Sequence, residues 1–249
     1  MVTVLNQNMS KVIDGFKRAI DRLQTEVISD NFIKWLFRAN PGMFEKGNLW
    51  CFDYAISHLP SSSPIVEIGP FCGLSTNLIS YFKLKHGVEN KLFCSDAWDF
   101  EGADKKEFLG EHPYLKHSDY KEFIKDSFVR NVKFFSARDL PYAIELFSDD
   151  FFAEWIYGSE LTDLFGRSVR LGGSISFAFI DGNHNYDFVR RDFYNVDRVL
   201  EIGGFVLFDD SADGTPWEVK QIISNVIASE RYELVKKNPN YFFKKLKHL

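Results

Sequence analysis

The chain has 249 residues, enough for one α/β domain with elaborations and short for two. Its 45% hydrophobic content supplies a large core, and 26 phenylalanines would give that core much of its flat packing surface. With 30 Lys and Arg against 35 Asp and Glu, the formal net charge is −5, which argues against nucleic acid as an obligate partner, because phosphate binding calls for concentrated basic surface. The basic run from Lys244 to His248 reads as a solvated edge strand or tail. Cys51, Cys72 and Cys94 are too few and too scattered for a disulfide framework or a zinc knuckle, so they read as reduced thiols of a cytoplasmic protein. The N-terminal stretch has no apolar core of signal-peptide type, and no run approaches the ~20 apolar residues of a membrane span.

In chain order, Val12, Phe16, Ile20, Leu23 and Val27 recur at helical spacing. A second helix holds Phe32, Trp35 and Leu36 and is broken by Asn40-Pro41-Gly42. A third runs from about Trp50 to Leu59, so residues 1–60 read as a helical N-terminal extension or cap. Strand and helix signals then alternate through residues 61–249. Ile65 to Ile68 is a short apolar strand, followed by a turn from Gly69 to Gly73 and a helix that Ser75 or Thr76 can cap. Leu92 to Ser95 is a second strand, closed by Asp96. After a polar stretch and a helix around Tyr120–Phe128, Val132 to Phe135 reads as a third strand. Ile175 to Ile180 is a fourth and Phe205 to Phe208 a fifth, and the helix between them, marked by Val189, Phe193, Val196 and Leu200, is expected to stop at Gly203-Gly204.

Thr215-Pro216-Trp217-Glu218 has the form of a capping box with proline at the first helical position. Tyr232–Val235 and Tyr241–Phe243 flank Lys237-Asn238-Pro239-Asn240 as a closing hairpin. These signals describe an α/β fold, a doubly wound and mostly parallel seven-stranded sheet with an antiparallel terminal strand. Residues 140–172 fit no unit of the alternation and read as an inserted helical elaboration. Its aromatic stripe, Phe151 to Phe165, suits core or a dimer contact better than a substrate platform.

Ligands of such sheets bind beyond the carboxyl ends of the strands, near the switch point. The first turn, with Gly69 and Gly73, is neither the Gly-x-Gly-x-x-Gly of a pyrophosphate site nor a P-loop. Glycine pairs also serve plain turns. Asp96, at the end of the second strand, either caps a loop or accepts both hydroxyls of a ribose. Together the two places describe a nucleoside site without pyrophosphate.

The runs VEIGPFCGLSTNLI, FCSDAWDF, FIDGNHNYDFVRRDF and GGFVLFDD resemble the class I S-adenosylmethionine-dependent methyltransferases. Within them the chain is similar to small-molecule O-methyltransferases of the macrocin and mycinamicin type, over about residues 50–220. That resemblance implies a Rossmann-like methyltransferase fold and S-adenosylmethionine as cofactor. It further implies that Gly69 and Gly73 line the methionine part, Glu67 approaches its amino group, Asp96 holds the ribose and Trp98 covers the adenine. Pro70, Phe71, Ser75, Thr76, Ala97 and Asp181 complete the surround, and Ser136 stands where the adenine amine is met.

Methyl transfer from a sulfonium is an in-line displacement, so much of the gain comes from positioning, and an alcohol acceptor profits from a base or a metal. Asp181 ends the fourth strand, and Asp209 and Asp210 end the fifth. If these strands are neighbours, three carboxylates converge and repel, a conflict that a hard divalent cation resolves. The resemblance implies that they bind magnesium and that His184 is the base, a role its ordinary pKa of ~6.5 suits. The plainer readings are that Asp210 caps a loop and that Asn183-His184-Asn185 only begins a helix. His112 and His117 read as solvated. The partner expected is a small-molecule acceptor, with no nucleic acid and no membrane, and the apolar N-terminal and aromatic segments leave room for a homodimer. The rival readings are a metal-independent N- or O-methyltransferase, a nucleoside-binding protein without turnover, and, more remotely, a nicotinamide oxidoreductase.

Overall fold

The computed structural model describes residues 25–99 and 108–248. Of the expected helix, Val12, Phe16, Ile20 and Leu23 lie outside them, and Val27 is half exposed in a segment that is not helical. The first described helix is α1 (Asn31–Ala39). Asp30 caps it by accepting a hydrogen bond from the Ile33 N–H at 2.8 Å, and it ends at Asn40, ahead of Pro41. It is followed by α2 (Asn48–Ser57).

Seven strands form the main sheet: β1 (Ile65–Ile68), β2 (Leu92–Ser95), β3 (Tyr142–Ile144), β6 (Ile175–Ile180), β7 (Leu200–Phe208), β8 (Tyr232–Lys237) and β9 (Tyr241–Lys245). Their spatial order is β3-β2-β1-β6-β7-β9-β8. All pairs are parallel except those of β9, which runs antiparallel between β7 and β8. The sheet is therefore the doubly wound, mostly parallel one expected, and its antiparallel strand is the last of the chain. Two further strands, β4 (Glu160–Thr162) and β5 (Ser168–Arg170), pair as a separate hairpin.

Alternation along the strands divides the core between two faces. On one, Ile65, Cys94, Phe177, Phe179 and Leu207 pack against α1, α2, α3 (Leu74–His86) and α4 (His117–Phe135). On the other, Val66, Ile68, Ala178, Ile180 and Phe208 meet α5 (Ser148–Tyr157), α6 (Tyr186–Val199) and α7 (Val219–Ala228). Phenylalanine fills the first face as anticipated: Phe52 of α2 stands edge-on to Phe177 and Phe179, ring centroids 5.9 and 5.0 Å away. The three cysteines are buried free thiols.

Several local expectations are corrected. Val132–Phe135 is not a strand but the last turn of α4, because Ile124, Phe128 and Val132 recur every four residues as its buried face. The third strand is Tyr142–Ile144. Residues 140–172 thus hold β3, α5 and the β4–β5 hairpin. Gly203-Gly204 does not stop a helix; α6 ends at Val199 and both glycines lie within β7. A side chain on Gly204 would meet the Ser176 carbonyl at 3.0 Å, so glycine here permits strand-to-strand approach. Thr215 forms no capping box. Its hydroxyl donates to the Asp210 carbonyl, and α7 starts at Val219. Lys245, expected in a solvated edge strand or tail, is in a strand but an inner one, 1% exposed, where its Nζ lies 3.1 Å from the Asp197 carboxylate. No helix among the described residues is long and apolar enough to cross a membrane.

Candidate active site

The parallel register places the strand ends in one row. Gly69 N–H donates to the Ser95 carbonyl at 3.0 Å, Asp181 N–H to Ile68 at 3.0 Å, Asp209 N–H to Ile180 at 2.9 Å and Asp96 N–H to Ile144 at 3.3 Å. Each chemistry-bearing residue is therefore the first beyond its strand, held by its neighbour strand's last carbonyl. Above this row opens a cavity of about 610 Å³. Its described lining contains seven carboxylates, Glu45, Asp96, Asp99, Asp181, Asp192, Asp209 and Asp210, and no lysine or arginine.

The β1–α3 turn is tight for a visible reason. Gly69 has φ +80°, and a Cβ there would lie 2.0 Å from the Asp181 carbonyl, so only glycine fits. Gly73, at φ +85°, is the N-cap of α3 and packs against Phe128 and Val132. The expected caps are absent: Thr76 instead donates to the Glu67 carboxylate at 2.5 Å. Glu67 is wholly buried, its Oε1 has no partner among the described residues, and burial pushes its carboxyl upward.

Asp96 accepts from the backbone N–H of Trp98 at 2.6 Å and of Phe71 at 3.4 Å, which ties the second strand's loop to the first. Burial raises its carboxyl to about 6 despite those bonds. Trp98 does not face the cavity. It is wholly buried against Phe128, and its indole N–H donates to the Phe71 carbonyl at 2.9 Å, so it props the loop from behind. Ser136 is remote from the cavity as well, at the C-terminal end of α4, bonded to Asn77 at 2.6 Å. Of the expected cofactor residues, Gly69, Phe71, Asp96, Ala97 and Asp181 line the cavity, and Glu67, Pro70, Gly73, Ser75 and Thr76 do not.

At the other end Asp181, Asp209 and Asp210 converge, as the neighbouring strands required. Burial, then the charges of Asp209 and Asp210, pushes Asp181 well above the usual carboxylate range. Burial and Asp210 raise Asp209 to about 6. Asp209 Oδ1 accepts from Asn48 of α2 at 2.5 Å and from Asn240 of the closing hairpin at 2.6 Å. Asp210, at φ +50°, pairs through Oδ2 with His184 Nε2 at 2.8 Å. The imidazole also packs against Trp217 in a tilted arrangement, centroids 4.7 Å apart. Glu218 locks these loops together: its N–H donates to the His184 carbonyl at 3.2 Å and its carboxylate accepts from the Tyr186 N–H at 2.8 Å. Among the described residues, no three His, Cys, Asp or Glu side chains are assembled at metal-holding geometry. The donor set itself, oxygen atoms of three crowded carboxylates, is of the kind a hard divalent cation takes.

The sequence reading missed Asn48, Asn240, Trp217, Ser148 and Asp192. The Lys237–Asn240 turn signalled a hairpin but not that Asn240 reaches Asp209. Asp192 is mid-helix in α6, with no neighbouring signal. The expected solvation of His117 is not seen, since both ring nitrogens are buried without a hydrogen-bond partner among the described residues.

Residues 66–211 match a family described as a methyltransferase domain. The match covers more than half of the chain, and the protein belongs to that family: it is a methyltransferase. No curated protein matches the sequence. Among solved structures, the chain is similar to an O-methyltransferase from Bacillus cereus in complex with SAH, at 12% identity and TM-score 0.53, covering 92% of this chain and 97% of that one. It is also similar to the O-methyltransferase TomG from Streptomyces achromogenes in complex with SAM, at 10% identity and TM-score 0.51, covering 94% and 96%. At these identities the likeness speaks for the fold.

Proposed function

We propose that the protein transfers the methyl group of S-adenosylmethionine to a hydroxyl of a small molecule, a sugar or secondary metabolite, with magnesium assistance. The observation that carries this reading is the single cavity joining Gly69 and Asp96 at one end to Asp181, Asp209, Asp210 and His184 at the other. An acidic lining without lysine or arginine among the described residues favours a sulfonium cation and disfavours a pyrophosphate. The matching fold carries SAH or SAM in both relatives named above.

In the transfer, the methyl–sulfur bond breaks as the methyl–oxygen bond forms, and the acceptor hydroxyl gives up its proton. His184 receives that proton. Asp210 holds the ring in place and stabilises the imidazolium, while Trp217 fixes its plane. Asp181, Asp209 and Asp210 would hold the magnesium ion, which when bound supplies Lewis acidity that makes the hydroxyl a better nucleophile. Gly69 lets the turn after β1 pack directly against the Asp181 backbone, which holds the two halves of the site in register, and positioning supplies much of the rate.

A metal-independent transferase is the second reading, favoured by the commitment of Asp209 Oδ1 to two asparagines and of Asp210 Oδ2 to His184. Incubation with labelled S-adenosylmethionine and a panel of hydroxylated acceptors, with and without EDTA, separates the two. Product that disappears with EDTA and returns with Mg²⁺ supports the first reading. Full turnover in EDTA leaves His184 as the sole activator, and cofactor binding with no product across the panel indicates a binding protein. With a turning-over acceptor, His184→Gln is expected to lose about 10²–10⁴-fold in kcat.

A further inference from the structure

Asp209 is gripped by two amides that come from distant parts of the chain. Its Oδ1 accepts from Asn48 Nδ2 at 2.5 Å and from Asn240 Nδ2 at 2.6 Å. Asn48 is the first residue of α2, and Asn240 lies in the hairpin turn immediately before β9. Both side chains are buried. Asn48 precedes and Asn240 follows residues 66–211, the stretch that matches the methyltransferase family, so the grip is supplied by parts of this chain outside that match.

The hydrogen bonds decide which way each amide points. Asn240 Oδ1 accepts the N–H groups of Ser211 at 3.0 Å and Ala212 at 3.1 Å, so its NH₂ is the end that faces Asp209. That NH₂ also donates to Asn48 Oδ1 at 3.2 Å, which turns the Asn48 NH₂ toward Asp209 as well. Two donors therefore occupy Oδ1, and Oδ2 is left for the cavity that Asp209 lines with Asp181 and Asp210. The support is rigid. Asn238 Nδ2 donates to the Gly47 carbonyl at 3.0 Å, and a Cβ on Gly47 would lie 1.6 Å from the Asn238 carbonyl oxygen, so α2 and the hairpin turn meet backbone to backbone. Turning Asp209 would break both bonds to Oδ1 and leave buried amides unpaired, which fixes its orientation.

We propose that Asn48, oriented by Asn240, is a positioning residue: it presents one fixed oxygen of Asp209 to a divalent cation and so sets the affinity of the three-aspartate site. The proposal rests on the magnesium reading above. A carboxylate that must first be ordered binds a cation less tightly, and outer hydrogen bonds of this kind are commonly worth about 10–100-fold in metal affinity. The amides act at the β7 end of the sheet edge. Asp96 stands at the β2 end, with β1 and β6 between, so cofactor affinity is expected not to follow the metal.

The test is titration of the full chain with Mn²⁺, the free ion being followed by electron paramagnetic resonance. Affinity for S-adenosylhomocysteine is measured by calorimetry on the same samples. Asn48→Leu keeps the side-chain volume and removes both the donor to Asp209 and the acceptor that orients Asn240. It is expected to bind Mn²⁺ about 10–100-fold more weakly than the wild type, with S-adenosylhomocysteine affinity unchanged. Asn40→Leu removes another buried amide eight positions earlier, one that donates to the Cys72 carbonyl at 3.0 Å and not to Asp209, and it should keep the wild-type Mn²⁺ affinity. Thermal melts confirm that each variant is folded, and if Asn48→Leu is not, Asn48→Ala decides. Wild-type Mn²⁺ affinity in the folded Asn48 variant, or an equal loss in Asn40→Leu, overturns the positioning role while leaving the metal reading intact. Failure of the wild type to bind Mn²⁺ at all overturns the metal reading itself, and this proposal with it.

Discussion

At the sheet edge Asp181 faces two other carboxylates, and its affinity for a proton rises with every one of them. A folded pKa above the unfolded ~3.9 means that the folded state binds the proton more tightly. Asp181 therefore favours folding at low pH, and stability is lost as pH climbs beyond the unfolded value. Asp181→Asn removes the repulsion and keeps the shape, so the variant is expected to melt about 2–8 °C higher at pH 7 in EDTA, for a relief on the order of 1–2 kcal/mol. Its methyl transfer should meanwhile be abolished. An unchanged or lowered Tm would show that the carboxylate is compensated in some other way. Asp96 gives a pH signature of another kind. Its carboxyl, at about 6, must be ionised to accept ribose hydroxyls as well as the Trp98 and Phe71 amides. Affinity for S-adenosylhomocysteine should thus fall as pH drops below about 6, approaching tenfold per unit, and Asp96→Asn should bind weakly with that dependence removed.

The element that the sequence described least completely is the closing hairpin, β8 and β9. Its turn residues were legible as a turn, because Asn and Pro there set backbone geometry locally. Their long-range work was not: Asn238 accepts the Glu26 N–H at 2.7 Å and donates to the Gly47 carbonyl at 3.0 Å, and Asn240 reaches Asp209. Contacts between residues 31 to 212 positions apart leave no periodic trace. The same holds at the sheet's far edge, where Asp197 of α6 takes the Arg231 guanidinium at 2.8 Å, the Tyr232 hydroxyl at 2.6 Å and the Lys245 ammonium at 3.1 Å. Burial acts to raise the Asp197 carboxyl, but the Tyr232 and Arg231 bonds prevail and hold it below its ordinary value. Its contribution is thus present above pH ~4 and lost as pH falls through the lower folded value. Asp197→Ala leaves Lys245 and Arg231 buried with no counter-charge, and a loss of about 3–5 kcal/mol is expected in urea unfolding at pH 7. A loss below about 1 kcal/mol would mean that the cations escape to water. By contrast β1, β2, β6 and β7 were readable because buried parallel strands are short apolar runs, whereas Val132–Phe135 misled because four apolar-rich residues look alike at the end of a helix and in a strand.

Over the whole molecule, what could be read ahead was the row of strand ends: Asp96, Asp181, Asp209 and Asp210 each follow an apolar run, and a parallel sheet brings such positions to one edge. What could not be read was the lining that comes from helix interiors and distant turns, Asp192, Asn48 and Asn240 among them. Three of the seven carboxylates in the cavity's described lining, Asp181, Asp209 and Asp210, crowd one another, a conflict that a cation would relieve. Ligand binding should then appear as global stabilisation. S-adenosylhomocysteine at a hundred times its Kd is expected to add about 2.7 kcal/mol, or ~5–10 °C in Tm for a chain of this size. If the three aspartates hold magnesium, Mg²⁺ alone raises Tm as well, EDTA reverses the rise, and Asp209→Asn largely removes it. If they do not, Tm is insensitive to millimolar Mg²⁺ and EDTA while the S-adenosylhomocysteine shift persists. The comparison needs no acceptor, so it settles the metal before the substrate is known.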